Sequence, residues 1–165
     1  MIRLIAAADN NWGLGYKGQL LYRCKTDMAF FKETTMGGVV VMGQKTLESF
    51  PHSAPLKGRT NIVLSDDPNF SCEGAIVCRS KQEALKRIAS IDNENVFIIG
   101  GASIYRLFLD DCDEALITHI DSAKEADAFL PNLDENPSWI LASESEPQTE
   151  NELSFTFRTY KNNAK

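Results

Sequence analysis

No apolar run in the 165-residue sequence approaches the roughly 20 residues a membrane-spanning helix needs, so no such helix is expected. No cluster of Lys or Arg stands against the net charge of −6, which argues against nucleic acid or an anionic membrane as the main partner. Histidine is scarce, with only His52 and His119, and Cys24, Cys72, Cys78 and Cys112 are scattered without a C-x-x-C pair. A metal site is therefore not expected. The opening MIRLIAAADNN is too short in apolar residues for a secretory leader and passes straight into a strand-like pattern. Four reduced thiols and a cytoplasmic location are the expectation. Internal repeats, low-complexity tracts and linkers are absent.

What remains is an ordinary globular composition, 43% hydrophobic and 24% charged, read as a single domain spanning 1–165. Short apolar runs suited to strands (Ile2–Ala8, Val39–Met42, Thr60–Leu64, Ala75–Cys78, Val96–Ile99, Ala115–Ile120) alternate with helical stretches (Thr26–Thr35, Gln44–Phe50, Lys81–Ser90, Ala102–Leu109). Near-continuous apolar strands separated by helices imply an α/β fold whose mostly parallel sheet is covered on both faces. Ser138–Ser145 and Leu153–Lys161, joined by the polar EPQTENE, read as an antiparallel hairpin at the sheet edge, because SFTFRTY alternates with period two.

GLGYKGQLLY satisfies G-x-G-x-x-G through Gly13, Gly15 and Gly18, yet it fails the structural test of a dinucleotide fingerprint. Four residues, Asp9 to Trp12, separate it from the preceding strand, and no helix starts directly after Gly18. The stretch from Asp9 to Lys25 reads instead as a long functional loop, with Trp12 as an anchor. Better phosphate-binding candidates are VVVMGQKTLESF and VFIIGGASIYRLF. Each runs strand, glycine, helix, offering free backbone N–H groups at a strand's carboxyl end. Either alone is also ordinary punctuation between a strand and a helix. Asp27 and Phe31 share one helical face, placing a carboxylate beside an aromatic wall that a flat, cationic heterocycle would fit. An aspartate in a first helical turn is equally explained by the helix dipole.

In order and spacing these residues resemble dihydrofolate reductase over nearly the whole chain. MIRLIAAA, the loop with Gly15 and Leu20, TDMAFFK, VVVMGQKTLESF, LKGRTNIVLS, VFIIGGASIY, ITHID and Asp127…Leu130-Pro131 carry the likeness. It implies a central, mostly parallel eight-stranded sheet with an antiparallel C-terminal edge hairpin and four flanking helices. It also implies reduction of 7,8-dihydrofolate by NADPH, serving one-carbon metabolism, in a monomer that antifolates would inhibit. Hydride would reach the pterin C6 and a proton its N5. By this resemblance Asp27 binds the pterin N3 and 2-amino group, and Thr118 bonds Asp27. Ile5, Ala6, Ala7, Met28, Phe31, Phe50, Leu56, Ile99 and Tyr105 line the substrate site. Lys32 and Arg59 serve the glutamate tail, Arg59 gripping its α-carboxylate. The cofactor would lie on Ala7, Leu14, Gly15, Gly18 and Leu20 of the first strand and loop, then Gly43, Gln44, Lys45, Thr46 and Ser49. Beyond these come Leu64, Ser65, Asp66 and Arg79, then Ile99, a cis Gly100-Gly101 peptide, Ala102, Ser103, Ile104 and Tyr105. GLGYKGQLLY becomes the active-site loop, whose glycines serve motion rather than pyrophosphate.

Two departures follow. The family's Leu-Pro-Trp is Leu20-Leu21-Tyr22 here, so Tyr22 takes a catalytic aromatic's place and the missing proline predicts greater loop mobility. Gln44, Asp66 and Ser103 replace basic or neutral residues at the 2′-phosphate, with Arg79 as a possible substitute, predicting NADH tolerance. Alternative readings are the pyrimidine reductase of riboflavin synthesis and a pterin- or nucleotide-binding module without catalysis. His119, one residue past Thr118 on a strand, faces the other way and reads as structural.

Overall fold

In the computed structural model, which describes residues 1–165, the chain runs β1 (Ile2–Asp9), β2 (Gly13–Tyr16), β3 (Gln19–Leu20) and α1 (Lys25–Thr35). It continues through β4 (Val39–Gly43), α2 (Gln44–Glu48), β5 (Thr60–Leu64), β6 (Ala75–Cys78), α3 (Lys81–Ser90), β7 (Val96–Gly100) and α4 (Ala102–Phe108). β8 (Glu114–Ile120), β9 (Ala128–Phe129), β10 (Trp139–Glu144), β11 (Gln148–Glu150) and β12 (Leu153–Asn162) complete it.

The main sheet has the order β10-β12-β8-β1-β7-β4-β5-β6, with β11 added along β12. Every pairing from β8 to β6 is parallel, and β12 enters antiparallel between β10 and β8. Parallel interior strands bury both faces, which is why VVVM of β4 is wholly buried. Alternation then divides the core in two. Leu4, Val39, Val41, Val96 and Ile98 pack with Ala84 of α3 and Phe108 of α4. Ile5, Val40, Met42, Phe97 and Ile99 point to the opposite side, toward Leu47 of α2 and Phe30 and Phe31 of α1. No helix is long and apolar enough to cross a membrane.

Two expectations need correction. The stretch Asp9 to Lys25 is not an irregular loop, because β2 and β3 within it pair with each other and with β9 to form a small three-stranded sheet. That pairing reaches across more than a hundred residues and leaves no local periodicity to read. Gly15 permits it, since a Cβ there would sit 2.8 Å from the Gln19 carbonyl oxygen across the turn. Likewise the polar EPQTENE is not merely a connection, because it contains β11, which pairs with β12.

Candidate active site

The carboxyl ends of β1, β4, β7 and β8 meet α1 around a chamber on one side of the sheet. Ile5, Ile99, Phe31, Phe50 and Leu56 belong to one apolar cluster there. Five side chains from four separate stretches of sequence are thus brought together as expected. Met28, 60% exposed, stands at the open side. Ala6 and Ala7 lie on β1, where Ala7 is in register with Thr118 of β8. Asp27, in the first turn of α1, accepts a hydrogen bond from Thr118 Oγ1 at 2.5 Å. Its Oδ2 takes no donor from the protein. Burial pushes the Asp27 carboxyl above the ordinary carboxylate range, and the Thr118 hydroxyl partly opposes that shift. The result is a single carboxylate in an apolar chamber, with one oxygen fixed and one open to a ligand.

At the mouth, Arg59 is held by Nε donating to the Lys57 carbonyl at 3.0 Å and Nη1 donating to Thr35 Oγ1 at 3.2 Å. Thr35 closes the helix that bears Asp27, so the guanidinium and the carboxylate are placed by opposite ends of α1. Lys32 is exposed on the same helix. Tyr105 is buried, and its hydroxyl lies 2.7 Å from the Ile5 carbonyl oxygen and 2.8 Å from that of Ile99. With its one proton engaged there, Tyr105 contributes by tying β1 to β7 rather than by donating to a ligand.

Next to the chamber the turns after β4 and β7 form one crevice. The Gly100-Gly101 peptide is cis, as expected. Thr46 Oγ1 of α2 lies 3.5 Å from where a Cβ on Gly100 would project. A Cβ on Gly43 would stand 3.1 Å from Ile104 Cγ1 of α4. The two turns therefore face each other at a distance that side chains would fill. Neither Gly43 nor Gly101 caps its helix with a side chain, leaving first-turn N–H groups for a ligand, and Ala102 and Ser103 begin the second helix. This cradle suits the phosphates of a dinucleotide. Beyond it, Ser65 Oγ donates to Gln44 Oε1 at 2.5 Å, and Lys45, Ser49 and Asp66 are exposed around them, with Leu64 ending β5. Arg79, expected as a substitute cation, instead donates to the carbonyl oxygens of Ser65, Asp67 and Phe70 at 3.4, 2.6 and 2.8 Å. It holds the 65–70 loop in shape through three hydrogen bonds from its two terminal nitrogens.

The small sheet forms a flap beside the site, with Leu14 and Gly15 on β2, Gly18 at the turn and Leu20, 71% exposed, on β3. Tyr22 is not among the hydrogen-bond partners of Asp27, because its hydroxyl donates to Asp9 Oδ2 at 2.9 Å. The loop end where the proline is missing is tied on both sides of its peptide. Leu21 donates to the Leu14 carbonyl at 3.2 Å, and its own carbonyl accepts from Lys124 Nζ at 3.1 Å. Trp12 is buried and stacks at a tilt on Tyr160, 6.0 Å between centroids, as an anchor should. His119 lies next to Arg158 and Glu144 on the other face, with burial lowering its pKa.

Two residues went unnoticed in the sequence. Asp9 is buried at the end of β1, and Glu150 of β11 accepts from Lys25 N at 2.6 Å, Thr26 N at 3.1 Å and Thr26 Oγ1 at 2.5 Å. An Asp followed by Asn-Asn-x-Gly is a turn signal that could have flagged the first. Nothing local could have flagged the second, whose partners lie 124 residues away.

A crevice at the carboxyl ends of a parallel sheet, joined to an apolar chamber with one carboxylate, places the chain among α/β proteins whose sites lie where the strands end. The family model described as dihydrofolate reductase matches residues 1–162, and the chain belongs to that family. It is 34% identical to the dihydrofolate reductase of Heliothis virescens over 97% of this chain and 96% of that one. The Neisseria gonorrhoeae enzyme of the same name is 36% identical, with 96% of each covered. The bifunctional dihydrofolate reductase-thymidylate synthase of Glycine max is 37% identical over 96% of this chain, which spans about a third (33%) of that protein's length. Among solved structures, dihydrofolate reductase from Enterococcus faecalis complexed with NADP(H) and RAB-propyl superposes with a TM-score of 0.85. It is 30% identical and covers 99% of this chain and 96% of its own.

Proposed function

We propose that this chain reduces 7,8-dihydrofolate to 5,6,7,8-tetrahydrofolate with NADPH. The observation that carries the reading is the Asp27–Thr118 pair, a lone carboxylate in an otherwise apolar chamber beside a glycine-lined dinucleotide crevice. NADPH, when bound, supplies the hydride that reduces the C6–N5 double bond of the pterin. Asp27, oriented by Thr118, accepts hydrogen bonds from N3 and the 2-amino group of the pterin. Its negative charge in a poorly solvated site raises the basicity of the ring and favours the proton that N5 must gain. Ile5, Phe31, Phe50 and Ile99 exclude water from the reacting face. Arg59 takes the α-carboxylate of the glutamate tail in a bidentate pair.

Gly43, the Gly100-Gly101 turn, Thr46 and Lys45 hold the cofactor's phosphates, and Leu20 and Gly15 of the flap cover its nicotinamide end. The reading extends to a single-domain monomer in the cytoplasm. Both subsites come from one chain, and all four cysteines are free, three of them buried, which suits a reducing compartment. Antifolates that mimic a protonated pterin would bind the same carboxylate.

The test is loss of reduced-nicotinamide absorbance with dihydrofolate. Consumption that Asp27→Asn abolishes supports the reading. Binding of folate without consumption replaces it with a module that has kept the pocket and lost the reaction. The pyrimidine reductase alternative is disfavoured because Asp27 and Phe31 share the chamber while Arg59 stands at its mouth, an arrangement suited to a glutamate tail rather than a ribose phosphate.

A further inference from the structure

Asp9 is the last residue of β1 and 1% exposed, in the middle of the sheet's carboxyl edge. A carboxylate so deeply placed is unfavourable unless its oxygens are saturated with donors. Four donors do so. Asn11 N at 3.0 Å and Gly13 N at 2.9 Å reach Oδ1, while the Tyr22 hydroxyl at 2.9 Å and Lys124 N at 3.2 Å reach Oδ2. They come from three places: the near limb of the flap, its far limb, and the connection between β8 and β9. Lys124 adds a second tie, its ammonium donating to the Leu21 carbonyl at 3.1 Å and sitting 4.5 Å from the centre of the Tyr22 ring.

The far limb runs directly into the active-site helix. Tyr22 precedes Cys24, whose carbonyl accepts from Met28 N at 3.0 Å in the first turn of α1, the turn that carries Asp27. On the sheet side, Asp9 lies two residues beyond Ala7, the register partner of Thr118. One buried carboxylate therefore grips both limbs of the flap and the segment that leads to Asp27. The Tyr22 hydroxyl is the only side-chain donor on it.

We propose that Asp9 is a positioning residue for the reductase reaction, acting through the Tyr22 hydroxyl to fix the flap and the start of α1. Tyr22 is thereby a tether, with no catalytic contact of its own. The inference takes its reaction from the reductase reading, but its structural half is measured without turnover.

The experiment is a double-mutant cycle with Tyr22→Phe, which deletes one hydroxyl and keeps the ring over Lys124, and Asp9→Asn. Flap order is read by limited trypsin cleavage after Lys17 and Arg23, and function by kcat, KM and the pH–rate profile with dihydrofolate. A hydrogen bond to a buried charge predicts cleavage about tenfold faster and kcat lower by about the same factor in each single variant. The double variant should be little worse than either, and the shape of the pH profile unchanged. Additive effects would overturn the proposal, as would a Tyr22→Phe variant whose flap is cleaved at the wild-type rate. A Tyr22→Phe variant that alters the pH profile while Asp9→Asn leaves kcat alone would also overturn it, placing Tyr22 at the substrate instead. If Asp9→Asn fails to fold, Tyr22→Phe alone decides through cleavage and the pH profile. If the chain proves not to reduce dihydrofolate, cleavage still reports on the tether.

Discussion

Thr118 Oγ1 donates to Asp27 Oδ1 at 2.5 Å across 91 residues of sequence, while burial drives the same carboxyl toward its neutral form. The two influences oppose, and burial is the larger. Because the folded-state pKa lies above that of the unfolded chain, Asp27 stabilises the fold only below the ordinary carboxylate range. That contribution is lost as pH rises through the folded value. Asp27→Asn should therefore melt at a higher temperature than the wild type at pH 8, with the gap narrowing toward pH 5. Turnover should move the other way, falling by roughly 10²- to 10⁴-fold at neutral pH and recovering in part at low pH, where the substrate is already protonated. Calorimetry and initial rates on the same two proteins check both halves.

Thr118→Val removes the one protein donor that holds down the Asp27 pKa. The carboxyl should then titrate higher, moving the acidic limb of the pH–rate profile to higher pH. Since Thr118 is buried and valine is nearly the same shape, the fold should survive. A profile that does not shift would separate Thr118 from the carboxylate's chemistry.

Glu150 poses a different question, because the helix that bears Asp27 has no cap of its own. Cys24 occupies the N-cap position without a side-chain hydrogen bond, and Glu150 satisfies the first-turn N–H groups of Lys25 and Thr26 from β11. Glu150→Ala should lower the melting temperature and raise KM for dihydrofolate. Glu150→Gln, which keeps an acceptor oxygen at the same place, should shift both less. Equal shifts in Glu150→Gln and Glu150→Ala would show that Glu150 acts through something other than accepting the hydrogen bonds of the helix end.

What the sequence made legible follows the range of the interactions involved. α3 is bounded as expected because its signals are local: Ser80 Oγ accepts from Glu83 N at 3.1 Å, and Glu83 Oε2 reaches back to Arg79 N at 2.8 Å. β4 and β7 were readable because burial on both faces demands unbroken apolar runs. The flap strands were not, because their partner β9 lies far along the chain and two- and four-residue strands leave no periodicity. In the site, apolar positions such as Ile5 and Ile99 followed from the resemblance and fell together. Of the hydrogen-bond commitments, that of Thr118 to Asp27 followed with them, because the resemblance supplied both partners, whereas the rest did not, because a side chain's partner is a tertiary fact. The Tyr22 and Arg79 donors are engaged by Asp9 and by backbone carbonyls, which no motif at either position records.

Arg59→Lys tests the tail-binding assignment. Lysine keeps the charge but loses the fork that accepts both carboxylate oxygens, and it cannot reproduce the tie to Thr35 that aims the guanidinium. KM for dihydrofolate should rise by about tenfold or more with kcat nearly unchanged, because the tail is bound equally in ground and transition states. A substrate lacking the glutamate should show no such difference between the two proteins.

Cofactor choice turns on Gln44, which spends its carbonyl oxygen on Ser65 and offers no positive charge beside the exposed Asp66. Arg79 is turned into the 65–70 loop by three hydrogen bonds, and Lys45 is the cation on the Gln44 turn itself that a 2′-phosphate would meet. The ratio of kcat/KM for NADPH over NADH should therefore be modest. Gln44→Arg adds a guanidinium where the phosphate would lie and should raise that ratio by about tenfold, the effect of one charge-assisted hydrogen bond at a partly exposed site. The gain should shrink as salt is added, since the interaction is screened. Asp66→Asn should raise the ratio in the same direction by removing a repulsive charge, and the two changes together should exceed either. A ratio indifferent to both substitutions would mean that the 2′-phosphate sits away from the Gln44 turn.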